Sequence, residues 1–354
     1  MLVAARSARS ARLARALSSR AAAVKKLQDR QKAVAAAVDS LGDGASLSKV
    51  QALVDSNADF KATVDEVKAA DLSWTWARLS SKPGSGAPVT VAVTGAGTPA
   101  GAAALYRIAA GEMLGPETSV VLQAVGADAA VVKDLEACDF PLLKSVSAAA
   151  VGSAFKGAAY ALLLDGDMGA LGKAAAGGAS DVLVGVLGNT NALAAQKASG
   201  LPASQFSSIT RHAQMAGEQA LSKAAGSEKV SNVIAWGAGV ADLSHAVVDG
   251  KWALKQEGVE ALPATGEASP ELVAEAAVAH MKDWALGSDG KWVSMGVPAT
   301  GDYGLGEGIF YSVPVTCAPG EYKRVGGVSL SPATAEAMEK ARLDLLAEKK
   351  AAGL

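Results

Sequence analysis

From residue 89 onward, short apolar runs alternate with helical stretches, and glycine-containing turns separate them. Val89–Thr94 reads VTVAVT, the unbroken run expected of a strand buried on both faces. It leads into Gly95-Ala-Gly97-Thr-Pro-Ala-Gly101 and a predicted helix over 102–110. Similar runs predict strands at 120–122, 159–164 and 182–187. Strands alternating with helices imply an α/β fold, with a doubly wound parallel sheet. The second half predicts a strand over 230–236, a long helix over 269–284 and a strand over 292–295. A mixed-charge amphipathic helix over 332–350 completes it, so an α+β lobe follows the parallel sheet. No internal repeat is visible.

The first 88 residues have a different pattern. Val24, Leu27, Gln31, Val34, Val38 and Leu41 are spaced three and four apart, a helical seam with one polar insert. Gly42-Asp43-Gly44 stops it, and Ser46 is placed to cap a second helix bearing Leu47, Val50, Leu53 and Val54. A third carries Phe60, Val64 and Val67. Trp74 and Trp76 follow, then a Ser/Gly-rich linker over 80–86. Helices this short bury their apolar faces against something. Packing on the main body of the same chain and docking on another subunit remain two open readings.

Residues 1–28 contain no Asp or Glu, while Arg6, Arg9, Arg12, Arg15 and Arg20 alternate with Ala, Ser and Leu. That composition predicts a mitochondrial transit peptide, set at residues 1–20, and a matrix-side location. A basic arm gripping an acidic partner is the alternative. The expected division is therefore 1–20 targeting, 21–88 helical extension and linker, 89–200 dinucleotide-fold domain and 201–354 α+β domain.

Composition narrows the function classes. Of 354 residues 50% are hydrophobic and 19% charged, enough for a sizeable core. The net charge of -2 argues against direct nucleic-acid binding. Cys138 and Cys317 stand far apart, offering neither a metal-ligand spacing nor a disulfide framework. No apolar stretch is long enough to span a bilayer. The 38 glycines weaken any argument from a single Gly.

Gly95, Gly97 and Gly101 follow a strand and open a helix, the context in which a glycine loop cradles a pyrophosphate at a helix N-terminus. The motif departs from the dinucleotide fingerprint, with Ala100 at the third glycine position. The acidic residue expected at the end of the second strand is also missing, Asp128 falling in the following loop.

A series of longer segments carries a resemblance. "VTGA" at 93–96, "ACDFPLLK" at 137–144, "AFKG" at 154–157, "GNTN" at 188–191 and "FSSITR" at 206–211 are followed by "NVIAWG" at 232–237 and "DLSHA" at 242–246. "VSMGV…DYG…FYSVPV" closes the series over 293–315. In this order they resemble the cytosolic-type malate dehydrogenase family, related to lactate dehydrogenases, from residue 89 almost to the C-terminus. The resemblance implies a Rossmann-like domain and an α+β domain. Residues 1–88 have no counterpart in it.

That family moves a hydride between a nicotinamide and the hydroxyl-bearing carbon of malate. Its chemistry needs a histidine base tuned by an aspartate, and arginines to clamp a dicarboxylate. By the resemblance, the histidine position falls on Gly239, the aspartate position on Ala213 and a substrate-binding arginine position on Ala216. The mobile loop that brings two further arginines reads Asp165-Gly-Asp167-Met-Gly-Ala-Leu-Gly172, with Lys173 the only cation before Ala174. His245 and His280 match other, structural histidines of the family. His212 stands one residue from the aspartate position, without an aspartate partner. Asn189 matches a residue that reads nicotinamide and substrate, and its simpler reading is a turn residue.

The sequence thus predicts a catalytically inactive relative with no cofactor expected, Gly95, Gly97, Gly101 and Asn189 being vestigial. Its role is predicted to be that of an accessory subunit of a larger mitochondrial assembly, such as a respiratory complex, the ATP synthase or a ribosome. The extension with Trp74 and Trp76 is a candidate contact with protein partners. The alternatives are a sensor that keeps NAD or NADP, and a divergent NAD(P)-dependent 2-hydroxy acid dehydrogenase.

Overall fold

The computed structural model describes residues 87–178, 181–253 and 267–354. The chain divides after Ala87, and the description concerns the second unit, Pro88–Leu354. The targeting segment, the helical extension and Trp74 and Trp76 lie outside the described residues, apart from Ala87 and Pro88.

Six parallel strands form the centre, in the order β3 (Leu143–Ala149), β2 (Val120–Val125), β1 (Val89–Thr94), β4 (Ala158–Leu163), β5 (Leu183–Leu187) and β6 (Phe206–Ile209). This 3-2-1-4-5-6 order is the doubly wound arrangement, with its switch point between β1 and β4. The sheet continues through β12 (Val293–Thr300), β13 (Glu307–Ala318) and β14 (Glu321–Arg324), all antiparallel. Nine strands therefore make one sheet, and the α+β lobe is built onto its β6 edge. The chain thus has a Rossmann-like doubly wound α/β fold followed by an α/β lobe.

Helices cover both faces. On β1, Val91 and Val93 face one apolar cluster and Ala92 the other, as strand alternation requires. The first cluster lies under α1 (Pro99–Ala109) and α7 (Pro270–Leu286), which contribute Leu105, Ile108, Met281 and Trp284. The second lies under α4 (Met168–Ala176) and α5 (Asn189–Ser199), with Leu171, Ala175, Ala192 and Leu193. Burying one such large side chain contributes about 1.5–3 kcal/mol. Both α1 and α7 start with a Ser/Thr cap followed by proline, Thr98-Pro99 and Ser269-Pro270, which fixes where each helix begins.

Several expected bounds shift. Helix α1 starts at Pro99 rather than 102, and β2 extends to Val125. The strand expected over 230–236 is two strands in different sheets. β7 (Val230–Ser231) joins β10 (Val247–Val248) and β11 (Lys251–Trp252), whereas β8 (Ile234–Trp236) pairs with β9 (Val240–Asp242). Asn232 lies between them at φ 60°, a left-handed conformation that ends a strand. The remaining helices are α2 (Ala129–Ala137), the single-turn α3 (Val151–Ala154), α6 (Arg211–Ala225) and α8 (Pro332–Ala351). Among the described residues no helix is long and apolar enough to cross a membrane.

Candidate functional site

The segment predicted to replace the catalytic histidine loop is a tight hairpin. Strands β8 and β9 are joined by Gly237-Ala238-Gly239, closed by the Gly239 amide donating to the Trp236 carbonyl at 3.0 Å. Gly237 has φ 60° and Gly239 φ 129°, values that side-chain-bearing residues rarely adopt. The hairpin is held from outside. Gly237 exchanges backbone hydrogen bonds with Ser312 at 3.1 and 3.2 Å, and the Trp236 indole donates to Asp242 at 2.9 Å. Helix α8 lies directly on the turn, since a Cβ on Gly237 would stand 2.6 Å from that of Ala341.

Ala213 is buried in the first turn of α6, and a Cβ on Gly239 would lie 3.2 Å from its Cβ. Tertiary structure thus brings together the two positions that the resemblance assigns to base and orienting carboxylate. Ala216, half-buried, follows three residues later on the same helix. None of the three carries a group able to accept a proton or bind a carboxylate. Arg211, at the start of α6, is bound 2.8 Å from Asp283 of α7. Lys173 is exposed on α4, a short helix that Asp167 caps through the amides of Gly169 and Ala170.

The three histidines have other surroundings. His245 bonds the Ser329 carbonyl at 2.7 Å and sits between the rings of Trp252 and Trp292. His280 is fully buried edge-on to Trp284, and burial, with the Arg211 charge second, pushes it down to about 3. Burial also lowers His212. Asn189 opens α5, and its amide donates to the Gly237 carbonyl at 2.9 Å, so this side chain ties the parallel sheet to the hairpin. Its Oδ1 is buried without a hydrogen-bond partner. Against it, Thr190, Leu193, Phe310, Leu345 and Lys349 close a crevice with no room for a water-sized sphere.

At the glycine loop several of the amides are engaged by the chain itself. The Ala96 amide bonds Val125, the Thr98 amide bonds Gly95, the Gly101 amide bonds the Thr98 hydroxyl and the Ala102 amide bonds the Thr98 carbonyl. Pro99 has none. A Cβ on Gly101 would meet the Gly95 carbonyl at 2.0 Å, and one on Gly97 the Gly126 carbonyl at 2.4 Å, so the chain's own backbone demands these glycines. Asp165 packs against Gly95, and its carbonyl accepts from Thr94 at 2.8 Å, which sets a carboxylate-bearing residue beside the loop. Asp128 is the N-cap residue of α2, past the end of β2, so β2 itself ends without an acidic residue. The Gly97 and Ala100 amides have no partner among the described residues, so the loop is only partly committed. Neither the Thr98 cap nor the Asp165 contact is visible in the glycine spacing alone. Among the described residues no group of three His, Cys, Asp or Glu is placed to hold a metal.

Comparison with known proteins agrees with the fold. Residues 253–353 match the lactate/malate dehydrogenase alpha/beta C-terminal domain. The malate dehydrogenase of Naegleria fowleri superposes with a TM-score of 0.66 at 28% identity, covering 74% of this chain and 97% of that one. The lactate dehydrogenase of Trichomonas vaginalis, solved with NADH and oxamate, gives 0.67 at 24% identity over 75% and 98%. For the Plasmodium falciparum malate dehydrogenase, solved with NADH, the TM-score is 0.62 at 13% identity over 75% and 98%.

Proposed function

We propose that this chain is a malate-dehydrogenase-like protein that no longer performs hydride transfer and acts as an accessory subunit of a larger mitochondrial assembly, on the matrix side. The observation that carries the loss of activity is the apposition of Gly239 and Ala213. A base and its orienting carboxylate must meet across a hydrogen bond, and here the meeting positions hold a hydrogen and a methyl group. Acid–base assistance is typically worth about 10²–10⁴-fold, and the missing clamp at Ala216 removes substrate positioning as well. The four engaged amides of the glycine loop, the missing amide at Pro99 and Asp165 beside the loop favour the loss of the dinucleotide.

The body around these positions is nevertheless closely packed, as the hairpin, Asn189 and α8 show. A shape kept while a site is empty of chemistry favours a structural role. The targeting composition of residues 1–20 and the extension with Trp74 and Trp76 favour a mitochondrial partner of protein nature.

Three measurements test this reading. Purified chain with malate or lactate and NAD should show no turnover above a protein-free control, and equilibrium dialysis should show no retention of NADH at millimolar concentration. Native gel migration of the endogenous protein from gently solubilised mitochondria should place it in a large complex. Turnover would reinstate a divergent dehydrogenase, NADH retention the sensor, and migration as monomer or dimer would sink the accessory role.

A further inference from the structure

At the amino-terminal edge of the central sheet, opposite the Gly95–Gly101 loop, lies an open cavity of about 800 Å³. That volume falls in the range of small-ligand sites. Its wall comes from five separate parts of the fold. The start of β4 supplies Tyr160, Asp181 and Leu183 come from just before and at the start of β5, Ser204 and Gln205 precede β6, the end of α7 supplies Ala285, and the start of β14 supplies Glu321 and Tyr322.

The chemistry of this wall is one-sided. It presents two exposed carboxylates, Asp181 and Glu321, two half-buried phenol rings and aliphatic surface, and the described lining contains no Lys, Arg or His. Tyr322 is braced edge-on against the buried Trp284, ring centroids 6.2 Å apart. Tyr160 is fixed in the sheet between Val91 and Leu183. Burial raises the Tyr160 phenol above its ordinary value and the Asp181 charge raises it further, which places that carboxylate within electrostatic reach of the ring.

An anionic ligand would meet two like charges here. A neutral one would compensate the carboxylates only through uncharged hydrogen bonds, about half as strong as charge-assisted ones. A cation gains both carboxylates as charge-assisted acceptors beside two tyrosine rings, and its apolar stem finds Leu183 and Ala285. We infer that this cavity binds a small organic cation, an ammonium or guanidinium group on an aliphatic stem, with its charge toward Asp181 and Glu321 and its stem along Tyr160 and Tyr322. The site is independent of the lost dehydrogenase chemistry and is separated from it by the height of the sheet.

Isothermal titration of the full chain with agmatine, and separately with spermidine, at low and at physiological salt tests it. Saturable binding of at least one probe is expected, weakened by added salt because the carboxylates are exposed. Asp181→Asn and Glu321→Gln should each weaken it about tenfold, the worth of one charge-assisted contact. Ser204→Trp, on the exposed wall of the cavity, should abolish it. Melting temperatures measured alongside should match wild type, and glutarate should not bind. Absence of saturable binding by either probe, or equal affinity in the folded Asp181→Asn/Glu321→Gln double variant, overturns the proposal.

Discussion

A Cβ added to Gly239 would stand 3.2 Å from the Cβ of Ala213, although 26 positions separate them in sequence and they lie on a hairpin turn and a helix. With φ 129° at Gly239 and the Ala213 methyl against it, the turn has no room for a large side chain at that position. Placing a histidine there therefore meets a conformational obstacle as well as a chemical one.

Gly239→Ala should destabilise the protein by about 1–3 kcal/mol, because φ 129° is a conformation that an L side chain occupies only under strain. The double variant Gly239→His/Ala213→Asp should be less stable still and should show no malate or lactate oxidation. Urea unfolding and a coupled absorbance assay read both. Turnover in the double variant would mean that the scaffold still positions substrate and cofactor.

Gly101→Ala should cost about 3 kcal/mol, since the new methyl would sit 2.0 Å from the Gly95 carbonyl and 2.9 Å from the Ala96 Cα, both backbone atoms. The loss is expected in the absence of any nucleotide. A denaturation midpoint equal to wild type would show that the loop relaxes freely.

Stability should fall in acid through His280. Its folded value, about 3, lies below the unfolded value of 6.5, so between these limits the unfolded chain takes up a proton that the folded chain refuses. The contribution is complete above pH 6.5 and is lost as pH falls toward 3, reaching about 2 kcal/mol by pH 5. Glu218 and Asp283 act in the opposite sense, because burial raises both carboxyls even though Arg211 lowers them. The comparison of wild type with His280→Leu isolates the histidine, and the variant should lose less stability between pH 7.5 and 5. Parallel pH curves for the two proteins would refute the assignment.

Arg211→Ala should destabilise by about 3 kcal/mol, since it leaves the mostly buried Asp283 and its neighbour Glu218 without their counter-charge. Asp283→Asn should cost less, because a neutral amide replaces the carboxylate. Equal midpoints in chemical denaturation for Arg211→Ala and wild type would show the pair to be dispensable.

Much of the scaffold is legible in order along the chain. The VTVAVT run of β1 and the apolar runs of β4 and β5 are strands buried on both faces, and such strands need apolar residues at every position. Two of the six parallel strands were silent for opposite reasons. β3 is an edge strand with Lys144, Ser145 and Ser147 exposed. β6 is fully buried but carries Ser207 and Ser208, of which Ser207 donates to the Gly296 carbonyl at 3.1 Å. Apolar periodicity detects neither, since water solvates the polar side chains of one, while in the other Ser207 is satisfied inside the core and Ser208 is buried without a hydrogen-bond partner among the described residues.

By itself the sequence determined the alternation of strand and helix and the start of α7 at Ser269-Pro270, which are properties of residue type and local spacing. The assignment of Gly239, Ala213 and Ala216 to base, orienting carboxylate and clamp came from the resemblance. Only the tertiary structure decided that Gly239 meets Ala213, that Asn189 is tied to Gly237, that the Ala96 amide of the loop is bonded to Val125, and that Tyr160, Asp181, Glu321 and Tyr322 share one cavity. Contacts between residues distant in the chain depend on the register of the sheet and the packing of helices on it, and no local pattern encodes them.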